Sequence, residues 1–243
     1  MTIVLFTDFG GADPYVGQVK AALLECAPGV EIIDLLHDVP AFSVRSGAHL
    51  LDSLKSFFPA GSTFLAVVDP GVGGARDALA LDADGRHYIG PDNGLLSVVA
   101  ARSLVRRWWR VLWRPRALSA SFHGRDLFAP VAGLIAAGAL PPEAREEIAA
   151  PAIDFGAGDA AEIIYIDHYG NAWTGLRAAG APRDAILLAS GARISHARVF
   201  AEARPGFAFW YENGQGLVEI AQNQGSAARS LGLSVGDLVS WSA

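Results

Sequence analysis

The chain has 243 residues, a formal net charge of −6, an apolar fraction of 51% and a single cysteine. This apolar fraction can fill a large core and excludes a disordered chain. The negative charge argues against a nucleic-acid partner, and one cysteine excludes an intrachain disulfide and a CxxC site. There is no signal-peptide pattern and no run approaching the ~18 apolar residues of a membrane helix. We therefore expect a cytoplasmic protein with no membrane contact.

The first third of the chain alternates between predicted strands and helices. Apolar runs at Ile3–Phe6 and Thr63–Val68 predict buried strands, and Val30–Leu36 predicts another strand between them. Asp13 is predicted as a helix N-cap, with Pro14 at the first helical position. Because a helical apolar period follows each of the first two strands, the pattern predicts an α/β fold with a largely parallel, doubly wound sheet.

The rest of the chain has a different pattern. Asp84-Gly85 between two apolar runs predicts a β-hairpin, and an apolar helix is expected after the FHGRD segment at 122–126. Short strand-like runs follow a shift in composition at about residue 140: Glu162–Ile166, Ala185–Leu188, Phe207–Tyr211, Leu217–Ile220 and Leu238–Trp241. We therefore predict an N-terminal domain over 1–150 and a small, mostly β C-terminal domain over 160–243. A barrel is the candidate architecture for the second domain.

Two carboxylates follow predicted strands. Asp8 and Asp69 each lie just beyond the carboxyl end of a strand, the edge at which open α/β sheets bind ligands. They could hold ribose hydroxyls, bind a cation or move protons; the alternative is that each caps a turn. The Gly71-Val72-Gly73-Gly74 loop does not fit GxGxxG, because position 76 is arginine. Arg76 could return a positive charge towards Asp69 or lie on the surface.

Two further polar segments are candidates. His123 precedes a helix and could carry a proton, or it could be a structural histidine. Asp167 to Trp173 combines an acid, an amide and aromatic rings, which suits a flat heterocycle bearing an amine; the alternative is a polar turn. No histidine has metal-ligand spacing, so no metal is predicted. The basic, tryptophan-containing stretch 102–116 favours a strand with a charged face over a single-strand nucleic-acid site.

Taken together, these segments resemble the adenosine-forming S-adenosylmethionine hydrolases. This family is also called S-adenosylmethionine hydroxide adenosyltransferase and is related to the fluorinases and chlorinases. The segments that carry the resemblance, in chain order, are Thr7-Asp8-Phe9-Gly10 with Asp13 and Tyr15-Val16-Gly17; Val68-Asp69-Pro70-Gly71-Val72-Gly73 with Arg76; Gly90-Pro91-Asp92-Asn93-Gly94-Leu95-Leu96; Phe122-His123-Gly124-Arg125-Asp126; and Ile166-Asp167-His168 with Gly170-Asn171.

The resemblance implies a fold, a reaction and a site. It implies a Rossmann-like N-terminal domain and a C-terminal β-barrel domain, arranged as a homotrimer with sites between subunits. The implied reaction converts S-adenosylmethionine and water into adenosine and L-methionine, with no cofactor. The implied water-activating trio is Asp69, Arg76 and His123. The implied substrate-binding residues are Asp8 (ribose), Asp13, Phe42, Asp167 (methionine ammonium), Tyr169, Asn171 (adenine), Glu219 and Gln222.

Departures from the halogenases favour hydrolysis. Gly124 stands where they carry the serine or small pocket for halide, and the carboxylate of Asp69 would repel a halide ion. Two alternatives remain: a halide-using adenosyltransferase, and a non-catalytic protein that binds S-adenosylmethionine or adenosine. The intact set of Asp69, Arg76 and His123 argues against the second.

Overall fold

The computed structural model describes residues 1–242; Ala243, the last residue of the predicted C-terminal domain, lies outside them. The chain divides into two compact units. The N-terminal unit contains Met1–Leu51 and Lys55–Ala157, and the C-terminal unit contains Asp52–Leu54 and the residues from Gly158 onward. Among the described residues, no helix has the length and apolar character needed to span a membrane.

The N-terminal unit contains one seven-stranded sheet. Its strands are β1 (Thr2–Thr7), β2 (Glu31–Leu36), β3 (Thr63–Val67), β4 (Ala78–Ala83), β5 (Arg86–Pro91), β6 (Arg106–Val111) and β7 (Arg145–Ile148). The strand order is β2-β1-β3-β5-β4-β6-β7. The first four strands in this order pair in parallel, whereas β4, β6 and β7 pair antiparallel. The prediction of a largely parallel sheet is therefore correct only for the half of the sheet formed by β2, β1, β3 and β5.

The change of direction comes from the predicted hairpin, which is confirmed. Asp84 and Gly85 join β4 to β5, and both have positive φ (45° and 77°), as a type I′ turn requires. A two-residue connection can join only antiparallel strands, so β4 runs against the four parallel strands. The strands β6 and β7 continue this antiparallel half.

The helices of this unit are α1 (Tyr15–Cys26), α2 (Val44–Leu54, as far as Leu51), α3 (Ser97–Ala101) and α4 (Ala129–Ala136). A π-helical turn, Gly124–Phe128, leads directly into α4. Helices α1 and α4 pack together against the sheet, and their apolar faces share one buried cluster with its strands. Gly133 of α4 permits this close packing, since a Cβ there would lie 2.8 Å from the Cβ of Cys26.

The predicted N-cap at Asp13 is wrong. Helix α1 begins at Tyr15, and its N-cap residue is Pro14, which makes no side-chain capping hydrogen bond. The Asp13 carboxylate instead turns back towards Gly10, where a Cβ would lie 2.9 Å from Asp13 Oδ2. Asp13 therefore belongs to the loop that carries Asp8, and not to the helix.

The C-terminal unit contains two antiparallel sheets and one short helix, α5 (Ala227–Leu231). Its strands are β8 (Ala160–Ile166), β9 (Ala172–Arg177), β10 (Leu187–Ala189), β11 (Ala192–Ile194), β12 (Ala208–Glu212), β13 (Leu217–Gln222) and β14 (Val239–Trp241). One sheet has the order β12-β13-β9-β8 and the other β11-β10-β14. A shared apolar core, which contains the fully buried Trp210, lies between their strands.

The predicted barrel is not present as one continuous hydrogen-bonded ladder within residues 1–242. The outer strands of the two sheets are joined only by isolated bridges, Glu162 to Leu238 and His196 to Trp210. Register shifts along β8 interrupt its pairing with β9 and bend the strand at this edge. The regular pairing is therefore that of two sheets.

Candidate active site

Asp8 and Asp69 lie at the same edge of the large sheet. Strands β1 and β3 pair in parallel with Thr7 opposite Val67, and the backbone N–H of Asp8 donates to the Val67 carbonyl at 3.3 Å. Each carboxylate therefore follows the carboxyl end of one of two neighbouring strands. Burial raises the pKa of Asp8, and the negative charge of Asp69 raises it further, while the backbone N–H of Phe42 opposes the shift.

Arg76 joins Asp69 to His123. Its Nε donates to both carboxylate oxygens of Asp69, at 2.8 and 3.0 Å, and its Nη2 also donates to Oδ2. The same Nη2 lies 3.2 Å from His123 Nδ1. The side chains of Arg76 and Asp69 are only 12% and 6% exposed, so this is a largely buried ion pair with fixed geometry.

The loop between Asp69 and Arg76 depends on Gly73. This residue has φ of 81°, and a Cβ added to it would lie 2.4 Å from the carbonyl oxygen of Ala120. The loop therefore lies directly against the segment that leads into His123. The Arg76 guanidinium also lies over the ring of Phe128, 5.1 Å from the ring centroid. Residues distant in sequence thus hold the three side chains together.

The contact with Arg76 determines which nitrogen of His123 carries the proton. A guanidinium has only donors, so Nδ1 of His123 accepts and its single proton in the neutral ring lies on Nε2. Burial lowers the pKa of His123, and the positive charge of Arg76 lowers it further, against the opposing charge of Asp69. The lowered pKa favours the neutral ring, which presents an N–H at Nε2.

This electrostatic arrangement predicts a titration below the usual range of histidine. A ring-nitrogen NMR titration should give His123 a pKa below the ordinary value of about 6.5, and Arg76→Gln should raise it, because that variant removes a positive charge and frees Asp69. The unfolded chain binds this proton more readily than the folded chain does. The contribution of His123 to the free energy of unfolding is therefore lost as the pH falls below about 6.5. A pKa that is unchanged in Arg76→Gln would contradict the arrangement.

A hydrogen-bonded chain, not expected from the sequence, holds the loop that carries Asp8. Lys20 Nζ contacts Asp34 Oδ2 at 2.5 Å, Asp34 Oδ1 lies 3.0 Å from His37 Nε2, and His37 Nδ1 lies 2.8 Å from Thr7 Oγ1. The Thr7 hydroxyl also accepts from the backbone N–H of Phe9 at 3.4 Å. Asp8 is therefore flanked on both sides by residues tied to this chain.

Phe42, a residue implied by the family resemblance, lies close to Asp8. Its backbone N–H donates to Asp8 Oδ2 at 3.5 Å, its φ is 66°, and its side chain is 76% exposed. A positive φ is uncommon for a bulky residue and marks a strained turn. The backbone at residue 42 therefore contacts the acid while the ring points into solvent.

The C-terminal candidates surround a single cavity of about 660 Å³. Asp167, Tyr169, Asn171, Glu219 and Gln222 all contribute to its lining, together with the aromatic rings of Trp173, Phe200 and Tyr211. Tyr169 is 75% exposed at this cavity, whereas Asn171 is buried. The structure thus brings together all five predicted C-terminal residues within one unit.

Asp167 and Asn171 fix one another. Asp167 Oδ1 accepts from the backbone N–H groups of Tyr169 and Asn171, and its Oδ2 accepts from Asn171 Nδ2, each at 2.9 Å. Because Asn171 donates to Asp167, its side-chain oxygen is an acceptor for a ligand. Gln222 is also fixed, since its Nε2 donates to the Gly206 carbonyl at 2.7 Å.

Glu219 is held by two residues that the sequence did not single out. Tyr211 OH donates to its Oε1 at 2.7 Å, and Asn213 Nδ2 donates to its Oε2 at 3.0 Å. Burial raises the pKa of Glu219, and the charge of Asp167 raises it further. Glu219 lies opposite Tyr211 on one neighbouring strand and opposite Trp173 on the other, so the three side chains form a row across the sheet.

No group of three or more histidine, cysteine, aspartate or glutamate side chains within residues 1–242 has an arrangement suited to a metal ion. The polar groups of both units instead form hydrogen-bonded pairs and chains. They suit an organic ligand with hydroxyl, amine and heterocyclic groups.

Comparison with known proteins gives matches along nearly the whole chain. The model of the SAM hydroxide adenosyltransferase N-terminal domain matches residues 3–145, and the model of the C-terminal domain of the same family matches residues 161–240. A protein from Thermus thermophilus named (R)-S-adenosyl-L-methionine hydrolase is 39% identical, over 96% of each chain. A more distant relative, named fluorinase, from an Actinoplanes species is 27% identical, over 96% of this chain and 95% of its own.

A solved structure agrees with these matches. The crystal structure of a conserved protein from Thermotoga maritima superposes with a TM-score of 0.89 at 30% sequence identity and covers 100% of both chains. The two domain models and the near-complete coverage of a relative at 39% identity agree. This chain therefore belongs to the SAM hydroxide adenosyltransferase family.

Proposed function

We propose that this protein hydrolyses S-adenosyl-L-methionine to adenosine and L-methionine. The observation that carries the proposal is the largely buried trio in which Arg76 links Asp69 to His123. A relative at 39% identity that bears the name (R)-S-adenosyl-L-methionine hydrolase supports the same reaction. The side-chain amide of Asn171, fixed by Asp167 at the cavity lining, and the aromatic lining of the C-terminal cavity suit the adenine ring.

In the proposed reaction, water attacks C5′ of the ribose in line with the sulfonium. The C5′–O bond forms, the C5′–S bond breaks, and its electron pair stays on the sulfur of methionine. The sulfonium is already an activated leaving group, so the proposed reaction uses neither a metal nor a cofactor. Attack by a hydroxide-like oxygen on a sulfonium neutralises charge, which a water-poor site favours.

The hydrogen bonds of the trio suggest separate roles for its members. Nδ1 of His123 already accepts from Arg76, so a proton at that nitrogen would break the contact and place two cations together. Asp69 keeps lone pairs beyond those used by Arg76, and it is therefore the proposed proton acceptor. In this scheme His123 orients the water, and Arg76 favours its deprotonated form by its positive charge.

We further propose that substrate-binding groups come from both units. Asp8, close to Phe42, would hold the ribose hydroxyls, with Asp13 in the same loop. Asp167 would hold the methionine ammonium, and Asn171 would bind the adenine edge. Tyr169, Glu219 and Gln222 would complete the pocket that surrounds the adenosyl group.

The finer architecture is part of the proposal. We infer a Rossmann-like N-terminal domain, a C-terminal barrel completed by isolated bridges between its two sheets, and a homotrimer. Each site would combine the Asp69 side of one subunit with the Asp167 side of the next. In support, the aromatic residues Phe42 and Tyr169 are 76% and 75% exposed in the single chain, as expected of residues that a neighbour or substrate covers.

One incubation tests the function. Purified protein with S-adenosylmethionine in chloride-free buffer should release adenosine, and in ¹⁸O-labelled water the 5′ oxygen should carry the label. A chloride-dependent 5′-chloro product would instead support a halide-using enzyme, and binding without any release would support a non-catalytic protein. Against halide use, a Cβ at Gly124 would lie 2.6 Å from the ring of Phe9, so this ring takes the space a side chain would need.

A further inference from the structure

A second cavity inside the N-terminal unit borders two members of the trio, Arg76 and His123. It has a volume of about 420 Å³ and is lined by Arg76 and His123, by Arg114 and by the Gly73–Gly74 part of the loop. Its lining, within the described residues, includes neither Asp8 nor Phe42. Arg76 and His123 therefore border a space that is separate from the surroundings of Asp8.

The cavity leads from solvent to the two side chains. At its rim Leu118 is 40% exposed, and Arg114 and Ala120 are exposed as well. At its base His123 is 8% exposed and Leu127 is buried. At about 30 Å³ for each molecule, the volume is large enough for on the order of ten waters.

Two arginines give this cavity a positive lining. Arg114 is fixed by two hydrogen bonds from its Nη1, to the carbonyls of Val111 and Trp113, each at 2.8 Å. The positive charge of Arg114 also contributes to the lowered pKa of His123. Among the described lining residues the one acid is Asp77, which forms an ion pair with Arg110 at 2.9 Å. Water in the cavity therefore faces the positive charge of Arg114 in addition to the Arg76–Asp69 ion pair.

We propose that this cavity is the solvent inlet of the trio, through which the nucleophilic water reaches Asp69, Arg76 and His123. The inference rests on the proposed hydrolysis, which consumes one water in every turnover. With the adenosyl group bound beside Asp8, the substrate itself closes that approach to the trio. The cavity bordered by Arg114 provides an approach that the substrate leaves open, and its charge favours the hydroxide form of the water.

Narrowing the rim tests the inlet. Leu118→Trp and Ala120→Phe should each lower kcat on the order of tenfold at unchanged KM for S-adenosylmethionine, because entry of water then replaces the chemical step as the slow step. Leu112→Trp is the matched control, since Leu112 is 46% exposed and does not line the cavity. A kcat that stays at the wild-type value in both rim variants would overturn the proposal.

Nitrate, a weakly nucleophilic anion, provides a second test, which measures inhibition. It should lower kcat without raising KM, and Arg114→Gln should weaken this inhibition by about tenfold or more, as expected for one charge-assisted hydrogen bond. Inhibition that competes with S-adenosylmethionine would overturn the inlet, because the cavity would then belong to the substrate pocket.

A nitrate titration followed by NMR separates the inlet from the proposed function. Without substrate, nitrate should shift the ring-nitrogen NMR signals of His123 in the wild-type protein and less so in Arg114→Gln. Absence of this shift contradicts the inlet. Absence of adenosine in the hydrolysis assay contradicts the proposed function, whatever the nitrate result.

Discussion

Replacing Asp69 by Asn is expected to lower kcat on the order of 10²- to 10⁴-fold, the usual contribution of general base catalysis, with little change in KM for S-adenosylmethionine. The carboxamide is nearly the same size as the carboxylate but cannot take a proton from water. His123 cannot replace it, because its Nδ1 accepts from Arg76. Steady-state kinetics with adenosine as the measured product gives both constants.

Stability must be separated from catalysis in this experiment. Asp69 and Arg76 are a largely buried pair, and removing one partner of such a pair costs about 3–5 kcal/mol. The double variant Asp69→Asn/Arg76→Gln leaves neither charge unpaired and should recover thermal stability while staying inactive. Activity that returns together with stability would show that Asp69 has a structural role only.

A control uses a second arginine–aspartate ion pair, which is more exposed. Arg177 Nε donates to Asp159 Oδ1 at 2.6 Å in the C-terminal unit, on side chains that are 52% and 30% exposed. Asp159→Asn should leave kcat and KM at their wild-type values, because such exposed pairs contribute little to stability. Comparing kcat of Asp159→Asn with kcat of Asp69→Asn shows whether the fall in kcat depends on the position of the acid.

Local patterns were sufficient to predict much of the fold. The apolar runs predicted β1, β2 and β3, and Asp84-Gly85 predicted the hairpin that reverses the sheet. Strand β9 was missed because Gly175 interrupts its pattern. The structure gives the reason for that glycine: a Cβ there would lie 2.5 Å from the Cβ of Ala160 on the neighbouring strand, a contact that only the pairing of β8 with β9 creates.

Spatial relations between distant segments could not be derived from the sequence. Strand-end position indicated Asp8 and Asp69, but the contact between Arg76 and His123 spans 47 positions and depends on how two loops pack at Gly73. Tyr211 and Asn213 were missed for a similar reason. Their link to Glu219 depends on the register of β12 against β13, which places Tyr211 opposite Glu219.

Two inactive variants should restore activity when they are mixed, if the proposed sites lie between subunits. Asp69→Asn removes the proposed base, and Asp167→Ala removes the carboxylate proposed for the methionine ammonium. Loss of a charged hydrogen bond to substrate should lower kcat/KM of Asp167→Ala by about 10- to 100-fold. Each variant alone therefore has little activity at low substrate concentration.

In a mixed trimer of either composition, both intact halves meet at one of the three sites, or about a third of them. Co-expression of the two variants with different affinity tags, followed by two-step purification, yields the mixed oligomers. The expected kcat/KM is then a sizeable fraction of the wild-type value and far above that of either parent. The double variant Asp69→Asn/Asp167→Ala, mixed with wild type, serves as the control for subunit exchange. Mixed oligomers without recovered activity would place both halves of each site on the same chain, and the intersubunit proposal would then have to be abandoned.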